Sequence, residues 1–193
     1  MNSEIPLKSE KAQARLGQVI KIAHRLFATR GYEEVGIREI AKEADINPMQ
    51  VYRLGVDKHD LLAEVILIVN QEMINKIKSF DSTSSTSALT FIEKYLLDLY
   101  EQDIEIKSIR KQGAAFGWKW SGKYEAFMIE QQKQILKPVA DALAYFGHDE
   151  IEARCFAIWS MYCLGYRKAV MNDADANACL NSIKQSLAIC MKS

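Results

Sequence analysis

The chain has 193 residues, of which 49% are hydrophobic and 26% charged, with nine glycines and three prolines. This composition excludes a disordered chain and favours an all-α protein that can bury a core without a metal or disulfides. Because 25 Lys and Arg balance 25 Asp and Glu, no global charge attracts nucleic acid, and any such contact must be local.

The sequence predicts a reduced cytoplasmic protein without metal or cofactor. No apolar run reaches transmembrane length, and the initial MNSEIPLKSEK has no apolar core of the kind found in signal peptides. The cysteines form no CxxC pair and have no zinc-type spacing with the histidines; they stand at positions 155, 163, 179 and 190. They lie in apolar helical patterns, which favours small buried hydrophobes over a redox sensor.

Two amphipathic helices are predicted near the N-terminus. Apolar residues recur at helical spacing from Leu16 to Phe27, and Gly31 is expected to end this first helix. A second, short helix begins near Gly36 and ends by Asp45. Its predicted buried face consists of Ile37, Ile40, Ala41 and Ala44.

The stretch DINPMQVYR predicts a third short helix with a proline at its start. Asn47 is a suitable N-cap, and Pro48 fits the first helical position, where its fixed φ helps and its missing N–H costs nothing. Ile46 and Val51 supply inward contacts, and Gly55 stands where a glycine commonly follows a helix end.

The second and third helices, joined by a short turn, form a predicted helix-turn-helix whose second helix is presented to a partner. Glutamine can pair with an adenine edge, arginine with guanine or phosphate, tyrosine with phosphate, and apolar surfaces with a thymine methyl. The candidate DNA-contacting side chains of this helix are Pro48, Met49, Gln50, Tyr52 and Arg53. A connector with incidental polar residues is the alternative. Asp57 is expected to cap a fourth helix beginning at Lys58.

The run VIKIAHRLFATRGYEEVGIREIAKEADINPMQVYRLGVDKHDLLAEVI resembles the DNA-binding domain of the TetR family of bacterial transcriptional regulators. The resemblance rests on LFATRGY, on IREIAKEADI, and on VYR followed at family spacing by Lys58 and LL. It covers about a quarter of the chain and is specific as a combination of individually weak features.

The resemblance implies a homodimer that inserts its third helix into the major groove of double-stranded operator DNA and binds a small-molecule effector, of unknown identity, in a C-terminal domain. By position it assigns DNA contacts to Arg38, Asn47, Met49, Gln50, Tyr52 and Lys58. We therefore expect a three-helix DNA-binding domain over residues 9–60 and a helical ligand-binding and dimerisation domain over residues 61–193. Basic arms at Lys8, Lys11 and Arg15 are expected to contact phosphates.

The chain departs from the family pattern at three places. Gly36 stands where the family usually has a Ser or Thr cap, and Asp45 where the turn usually has Gly. Asp tolerates a left-handed turn. Leu54 and Gly55 stand where the family usually has an aromatic residue, which predicts a looser link between the third and fourth helices.

Aromatic residues are concentrated in AFGWKWSGKYE, residues 115–125. Its glycines predict a helix end and loop, between a helix over residues 88–103 and a long helix from Tyr124 to Phe146 that is kinked at Pro138. The aromatic rings wall a ligand cavity or belong to the core. The candidate ligand-binding residues are Phe116, Trp118, Trp120, Tyr124, Trp159 and Tyr162.

Two last helices are predicted over about 150–171 and 174–191. Their apolar stripes suit a four-helix dimer interface with two helices from each subunit, and a monomer core is the alternative. The stripes contain Phe156, Trp159, Tyr162, Cys163 and Tyr166, followed by Leu180, Ile183, Leu187 and Cys190.

These features predict a ligand-responsive transcriptional regulator, a repressor that binds a palindromic operator. No Ser/His/Asp order, metal-spaced cluster or phosphate loop points to catalysis. One alternative is a small helical ligand-binding protein or enzyme with no DNA role. The other is a DNA-binding protein without a ligand, whose aromatic segment is only core.

Overall fold

The computed structural model describes residues 10–81, 85–116 and 122–192 of the chain, with side chains 113–116 left out. All regular secondary structure in these ranges is helical, which confirms the all-α prediction. The helices are α1 (Glu10–Arg30), α2 (Ile37–Glu43), α3 (Pro48–Arg53), α4 (Lys58–Lys76), α5 (Ala88–Glu105), α6 (Lys107–Phe116), α7 (Gly122–Tyr145), α8 (Ile151–Asn172), α9 (Ala176–Asn181) and α10 (Lys184–Cys190). No helix among the described residues is long and apolar enough to cross a membrane.

The chain divides into two compact units. The first is built on the described residues of Met1–Val69 and Ser108–Glu125, and the second on those of Asn70–Lys107 and Ala126–Ser193. The functional domain ranges 9–60 and 61–193 stay a prediction.

The first unit buries the apolar faces predicted for the N-terminal helices. Full burial of a large aliphatic or aromatic side chain stabilises a fold by about 1.5–3 kcal/mol, so this small core helps to stabilise the short α2 and α3. Ion pairs Arg25–Glu43 and Arg30–Glu39 also join α1 to α2. The buried side chains of α1 to α3 are Val19, Ala23, Leu26, Phe27, Ile40, Ala41 and Val51.

The core of the second unit contains a hydrogen-bonded group of aromatic residues between α5 and α8. Tyr100 stacks on Tyr162 with 4.5 Å between ring centroids, and its hydroxyl donates to the Tyr162 carbonyl oxygen at 3.0 Å. The Tyr162 hydroxyl donates to the buried Asp103 carboxylate at 2.7 Å. The polar atoms brought into this core are therefore hydrogen-bonded, as burial requires.

The helix predicted over residues 174–191 is observed as two helices, α9 and α10. At the break, the Ser182 hydroxyl donates to the Cys179 carbonyl oxygen at 2.6 Å. The apolar spacing of Leu180, Ile183 and Leu187 continues across this break. Periodicity alone therefore could not locate it.

Two further elements differ from or refine the predictions. A separate helix, α6, precedes the aromatic segment, although no helix was predicted to start there. Helix α7 continues without interruption through the buried Pro138. Residues 82–84 lie outside the described part of the chain, and Ser87 caps α5 by accepting the Thr90 N–H at 3.2 Å.

Candidate nucleic-acid interface

The turn between α2 and α3 is closed by Asp45 in the left-handed conformation, with φ of 52°. The Asp45 N–H donates to the Lys42 carbonyl oxygen at 3.2 Å, and the Ile46 N–H donates to that of Ala41 at 3.0 Å. These two bonds form a Schellman motif, in which the left-handed position is most often glycine. Asp45 therefore replaces the usual glycine without changing the turn.

A capping box fixes the start of α3. The Asn47 Oδ1 accepts the Met49 N–H at 2.9 Å, and the Gln50 Oε1 accepts the Asn47 N–H at 2.9 Å. Pro48 occupies the first turn, which confirms the predicted roles of Asn47 and Pro48 as helix start. The capping role of Gln50 was missed, although its signal, an N-cap residue followed three positions later by Gln, is present in the sequence.

Helix α3 turns one aliphatic side chain inward and its polar and amphipathic side chains outward. Val51 is fully buried, whereas Met49 is 60% exposed and Tyr52 is 50% exposed. Asn47, Gln50 and Arg53 are also exposed, and Pro48 is half-buried. This arrangement leaves the candidate DNA-contacting side chains accessible, and their contacts with DNA stay a prediction.

The link from α3 to α4 is packed by aliphatic side chains. Leu54, which stands where the family usually has an aromatic residue, is buried at the end of α3, and Val56 is buried just after it. Gly55 adopts a positive φ of 76° between them. These two aliphatic side chains occupy the inner side of the link in place of a ring.

The start of α4 holds Lys58 against an aromatic face. The Lys58 Nζ lies 4.1 Å from the centroid of the Tyr32 ring, a cation–π contact. The Tyr32 hydroxyl is 2.9 Å from the His59 Nδ1, and its ring packs edge-on against Phe27. Burial, aided by the nearby Glu33 and Asp57 carboxylates, raises the pKa of Tyr32 to about 12. Tyr32 therefore stays neutral and orients the lysine.

The remaining basic candidates differ in their surroundings. Arg38 is exposed on α2, and Lys11 is exposed on α1. Arg15, predicted to contact phosphate, donates to the Ala44 carbonyl oxygen at 3.4 Å, at the end of α2. Lys8 lies outside the described residues.

The predicted ligand-binding residues do not form one described site. Trp118, Trp120 and the Phe116 side chain lie outside the described part. Tyr124 is buried in the first unit, where its hydroxyl donates to the Glu64 Oε1 at 3.3 Å. Burial, followed by the Glu64 and Asp60 charges, raises the pKa of Tyr124. Its ligand-binding role stays a prediction.

Trp159 and Tyr162 belong to the second unit, where the structure brings them together as core packing. Their rings stack with 5.4 Å between centroids. The hydroxyl hydrogen of Tyr162 is already donated to Asp103. A cavity of about 250 Å³ in the same unit is lined by other residues, at the end of α4 and along α5. The sequence offered only scattered lysines and a helical apolar face as signals for that cavity.

Three of the four cysteines, Cys155, Cys179 and Cys190, pack in or against the core as small hydrophobes, whereas Cys163 is exposed, contrary to the prediction. Cys179 is buried and Cys155 is half-buried. Burial raises the pKa of both thiols, which is opposite to what a reactive thiolate needs. Across residues 10–81, 85–116 and 122–192, no group of three His, Cys, Asp or Glu side chains is placed to hold a metal ion.

Residues 19–65 match a family model described as bacterial regulatory proteins, tetR family. The matched segment begins within α1 and ends within α4, so it contains the whole helix-turn-helix. No curated protein matches the chain in sequence.

Solved structures resemble the chain over almost its whole length. One is a TetR transcriptional regulator from Rhodococcus sp. RHA1, with a TM-score of 0.63 and 14% identity over 95% of this chain and 98% of that one. Another is the transcriptional regulator FadR from Bacillus subtilis in complex with stearoyl-CoA, with a TM-score of 0.62 and 18% identity over 91% of this chain and 99% of that one. At these identities the likeness establishes a shared fold.

Proposed function

Because this chain belongs to the TetR family of bacterial regulatory proteins, we propose that it is a ligand-responsive repressor that binds a palindromic operator as a homodimer. Its general role is that of a DNA-binding transcriptional regulator. Operator symmetry, repression and the response to a ligand are the proposed part. The proposal also puts its site of action in the cytoplasm, with the DNA.

The observation that supports DNA reading most directly is the construction of α3. A helix of six residues is far shorter than the roughly 12–15 residues at which isolated helices become marginally stable. It is maintained by a left-handed turn, a capping box and a single buried side chain, Val51. This local chemistry leaves Met49 and Tyr52 exposed, and contact with DNA would cover such surfaces.

Each candidate side chain has a specific role in this proposal. The Gln50 amide NH₂ donates to a base edge, because the Oε1 is engaged with Asn47. Arg53 contacts guanine or phosphate, Tyr52 contacts phosphate, and Arg38 and Lys58 contact phosphates flanking the groove. The Met49 surface meets a thymine methyl group.

An exposed apolar face on α8 supports dimerisation. Phe156, Leu164 and Met171 are 71%, 64% and 65% exposed, and their separations of eight and seven residues place them on one side of the helix. Ile189 of α10, in the same unit, is also exposed. We define these four residues as the α8 face.

The α8 face differs from the stripe that the sequence predicted as the dimer interface. Most members of that stripe are buried within the subunit: Tyr162, Tyr166, Leu180, Ile183 and Leu187. They account for the core, whereas Phe156, shared by both sets, belongs to the surface. A four-helix contact between two copies of α8 and α10 would cover the α8 face.

The response to a ligand is supported by one solved structure with this fold. The structure of the Bacillus subtilis regulator contains stearoyl-CoA. In this chain, an effector bound in the second unit would favour a conformation in which the two α3 helices of the dimer are wrongly spaced for the operator. The shift is limited by the effector's differential affinity for the two conformations.

The proposal is tested by selecting bound fragments from random DNA with the full chain. We expect enrichment of an inverted repeat whose half-site centres lie about 10 base pairs, or a multiple, apart. Affinity for the selected site should fall steeply as salt rises. Enrichment of no sequence would overturn operator recognition, and enrichment of a lone half-site would overturn the symmetric dimer. A reporter gene whose promoter overlaps the site distinguishes a repressor from an activator, because a repressor lowers its expression when this chain is present.

A further inference from the structure

The cavity of about 250 Å³ in the second unit is bordered by the end of α4, the segment that follows it, and one face of α5. Its volume lies slightly below the range of about 300–1,000 Å³ that is typical of small-molecule pockets. It therefore suits a small ligand, and its lining combines positive charge with an apolar floor. The decisive lining residues are Lys76, Lys78, Lys94, Phe91, Tyr95 and Leu99.

The three lysines give the lining of the cavity an excess of positive charge. Lys76, Lys78 and Lys94 are exposed, and none makes an ion pair or side-chain hydrogen bond within the described part of the chain. Asp81 and Asp98 also line the cavity, so three ammonium groups face two carboxylates. The resulting balance favours a ligand with a compact anionic group.

The floor of the cavity is apolar and rigid. Phe91, Tyr95 and Leu99 follow one another every four residues along α5 and share one face of the helix. The Phe91 and Tyr95 rings stack with 5.9 Å between centroids, and Phe80 packs edge-on against Phe91 at 4.9 Å. The Tyr95 hydroxyl donates to the Ile135 carbonyl oxygen, so this ring cannot turn into the cavity to fill it.

We propose that this cavity binds a small organic anion with an apolar body, whose acid group lies between the lysine ammonium groups and whose body rests on α5. The inference deepens the proposed function, because it assigns a chemical class to the effector. Binding of the anion does not depend on the proposed function, because it involves the second unit alone. Only the expected release of DNA rests on the proposed function. A carboxylate and a phosphate monoester share the required chemistry.

The test is calorimetric titration of the full chain with octanoate, octyl phosphate and the neutral 1-octanol. We expect at least one of the two anions to bind at least about tenfold more tightly than 1-octanol, a difference of 1.4 kcal/mol. Binding of octanoate alone assigns a carboxylate, and binding of octyl phosphate alone assigns a phosphate. Equal binding of all three compounds, or binding of neither anion, would overturn the proposal.

Charge variants test the location of the site. Lys94→Gln should weaken anion binding about three- to tenfold, and Asp98→Asn should strengthen it about threefold, because single exposed charge contacts contribute up to about 1 kcal/mol. The matched control Lys133→Gln removes an exposed lysine of α7 that does not line the cavity, and it should bind as the parent chain does. Unchanged affinity in both the Lys94 and Asp98 variants overturns the site, provided that thermal melting shows them folded.

Operator affinity separates this inference from the proposed function. If octanoate binds and also weakens binding to the selected DNA site, the cavity is the effector site. Octanoate binding without any effect on the DNA supports the cavity but contradicts its effector role. Normal operator selection without anion binding leaves the proposed regulator intact and overturns the cavity assignment alone.

Discussion

The Gln50 side chain accepts the backbone N–H of Asn47 at 2.9 Å across the first turn of α3, so a residue proposed to read a base also holds its helix together. The Oε1 atom faces this N–H, and the amide NH₂ keeps its two donors for other partners. Stability and base recognition are therefore combined in one side chain, and substitutions at this position must separate them.

Gln50→Ala removes both the capping bond and the amide donors. We expect a loss of about 0.3–1.5 kcal/mol in unfolding free energy from the cap. We also expect a loss of about 1–3 kcal/mol in discrimination between the selected site and its variants. Urea unfolding and fluorescence anisotropy measure the two quantities. Equal affinity losses on selected and random DNA would remove Gln50 from the base-reading set.

Gln50→Glu is the matched variant that keeps the cap. A carboxylate accepts the Asn47 N–H as the amide does and suits the positive end of a helix. We expect stability within about 0.5 kcal/mol of the parent chain, together with weaker DNA binding, because the amide donors are lost and a negative charge is added. Preserved operator affinity in this variant would show that the Gln50 donors do not contact DNA.

Lys58→Ala tests the proposed phosphate contact at the start of α4. Tyr32 holds the ammonium group beneath it by a cation–π contact, so its position is defined before DNA arrives. We expect weaker binding to all sequences and a decrease of about one unit in the slope of log affinity against log salt. The control Lys133→Ala, an exposed lysine of the second unit, should keep the slope. An unchanged slope in Lys58→Ala would exclude this phosphate contact.

Leu164→Glu tests the α8 face as a dimer interface. Leu164 is 64% exposed in the subunit, so a charge there does not disturb the core, whereas at the centre of an apolar contact it would be left desolvated. We expect sedimentation to show a folded monomer with weakened operator binding. Phe127→Glu, at a similarly exposed apolar residue of α7, is the control and should stay dimeric. A Leu164→Glu dimer of parent affinity would contradict the interface.

Local sequence signals predicted the N-terminal helices well. Asn47 and Pro48 define a helix start through the chemistry of single residues, and Gly31 and Gly55 both adopt the positive φ that helix-terminating glycines supply. These signals act within one turn of chain. They could therefore be interpreted without knowledge of the tertiary fold, apart from the cap formed by Gln50, which was overlooked.

Tertiary packing determines which apolar residues of a helix are buried, and local sequence signals do not show this. Tyr162 and Phe156 both lie on apolar positions of α8, but one is buried under Tyr100 and the other faces solvent. Periodicity defines an apolar stripe without showing which side of it packs inside the subunit. The cavity was missed for a related reason, because its lining brings together Lys76 of α4 and Lys94 of α5, which are distant in the sequence.

Gly165→Ala tests the close approach of α8 to its neighbours. A Cβ added at Gly165 would overlap the Tyr100 hydroxyl and lie 3.0 Å from the Tyr100 Cζ and 3.1 Å from the Cys179 carbonyl oxygen. We expect a loss of about 1–3 kcal/mol in unfolding free energy from overpacking. The control Gly17→Ala, with no atom within 4 Å of the added Cβ, should be stabilising by about 0.4–1 kcal/mol.

A double variant identifies the atom responsible for that loss. Tyr100→Phe removes the hydroxyl that the new methyl group would overlap, and it should reduce the cost of Gly165→Ala while leaving the contact with the ring carbon. In the double-mutant cycle, measured by urea unfolding, we expect the double variant to lose less stability than the sum of the two single losses. Strict additivity of the two losses would contradict the packing assigned to Gly165.

The stability of the first unit should depend on pH through Asp60. Burial raises the pKa of this carboxyl, but the hydrogen bond from the Asp57 N–H and the Lys123 ammonium group outweigh burial and lower the pKa below its ordinary value of 3.8. A carboxyl with a lowered pKa adds stability above its unfolded value, and this contribution disappears as the pH falls through the lower folded value.

Asp60→Asn should therefore be less stable than the parent chain at pH 7, and the two should become equal as the pH falls below 3.8. The difference at pH 7 should stay below about 1 kcal/mol, because the Lys123 side chain of this ion pair is about half-exposed and solvent screens the interaction. Lys123→Gln removes the cation 3.0 Å from the Asp60 Oδ1 and should reduce this pH dependence while preserving the Asp57–Asp60 capping bonds. Urea unfolding between pH 2.5 and 7 measures all three proteins, and a stability difference that grows on acidification would contradict the assignment.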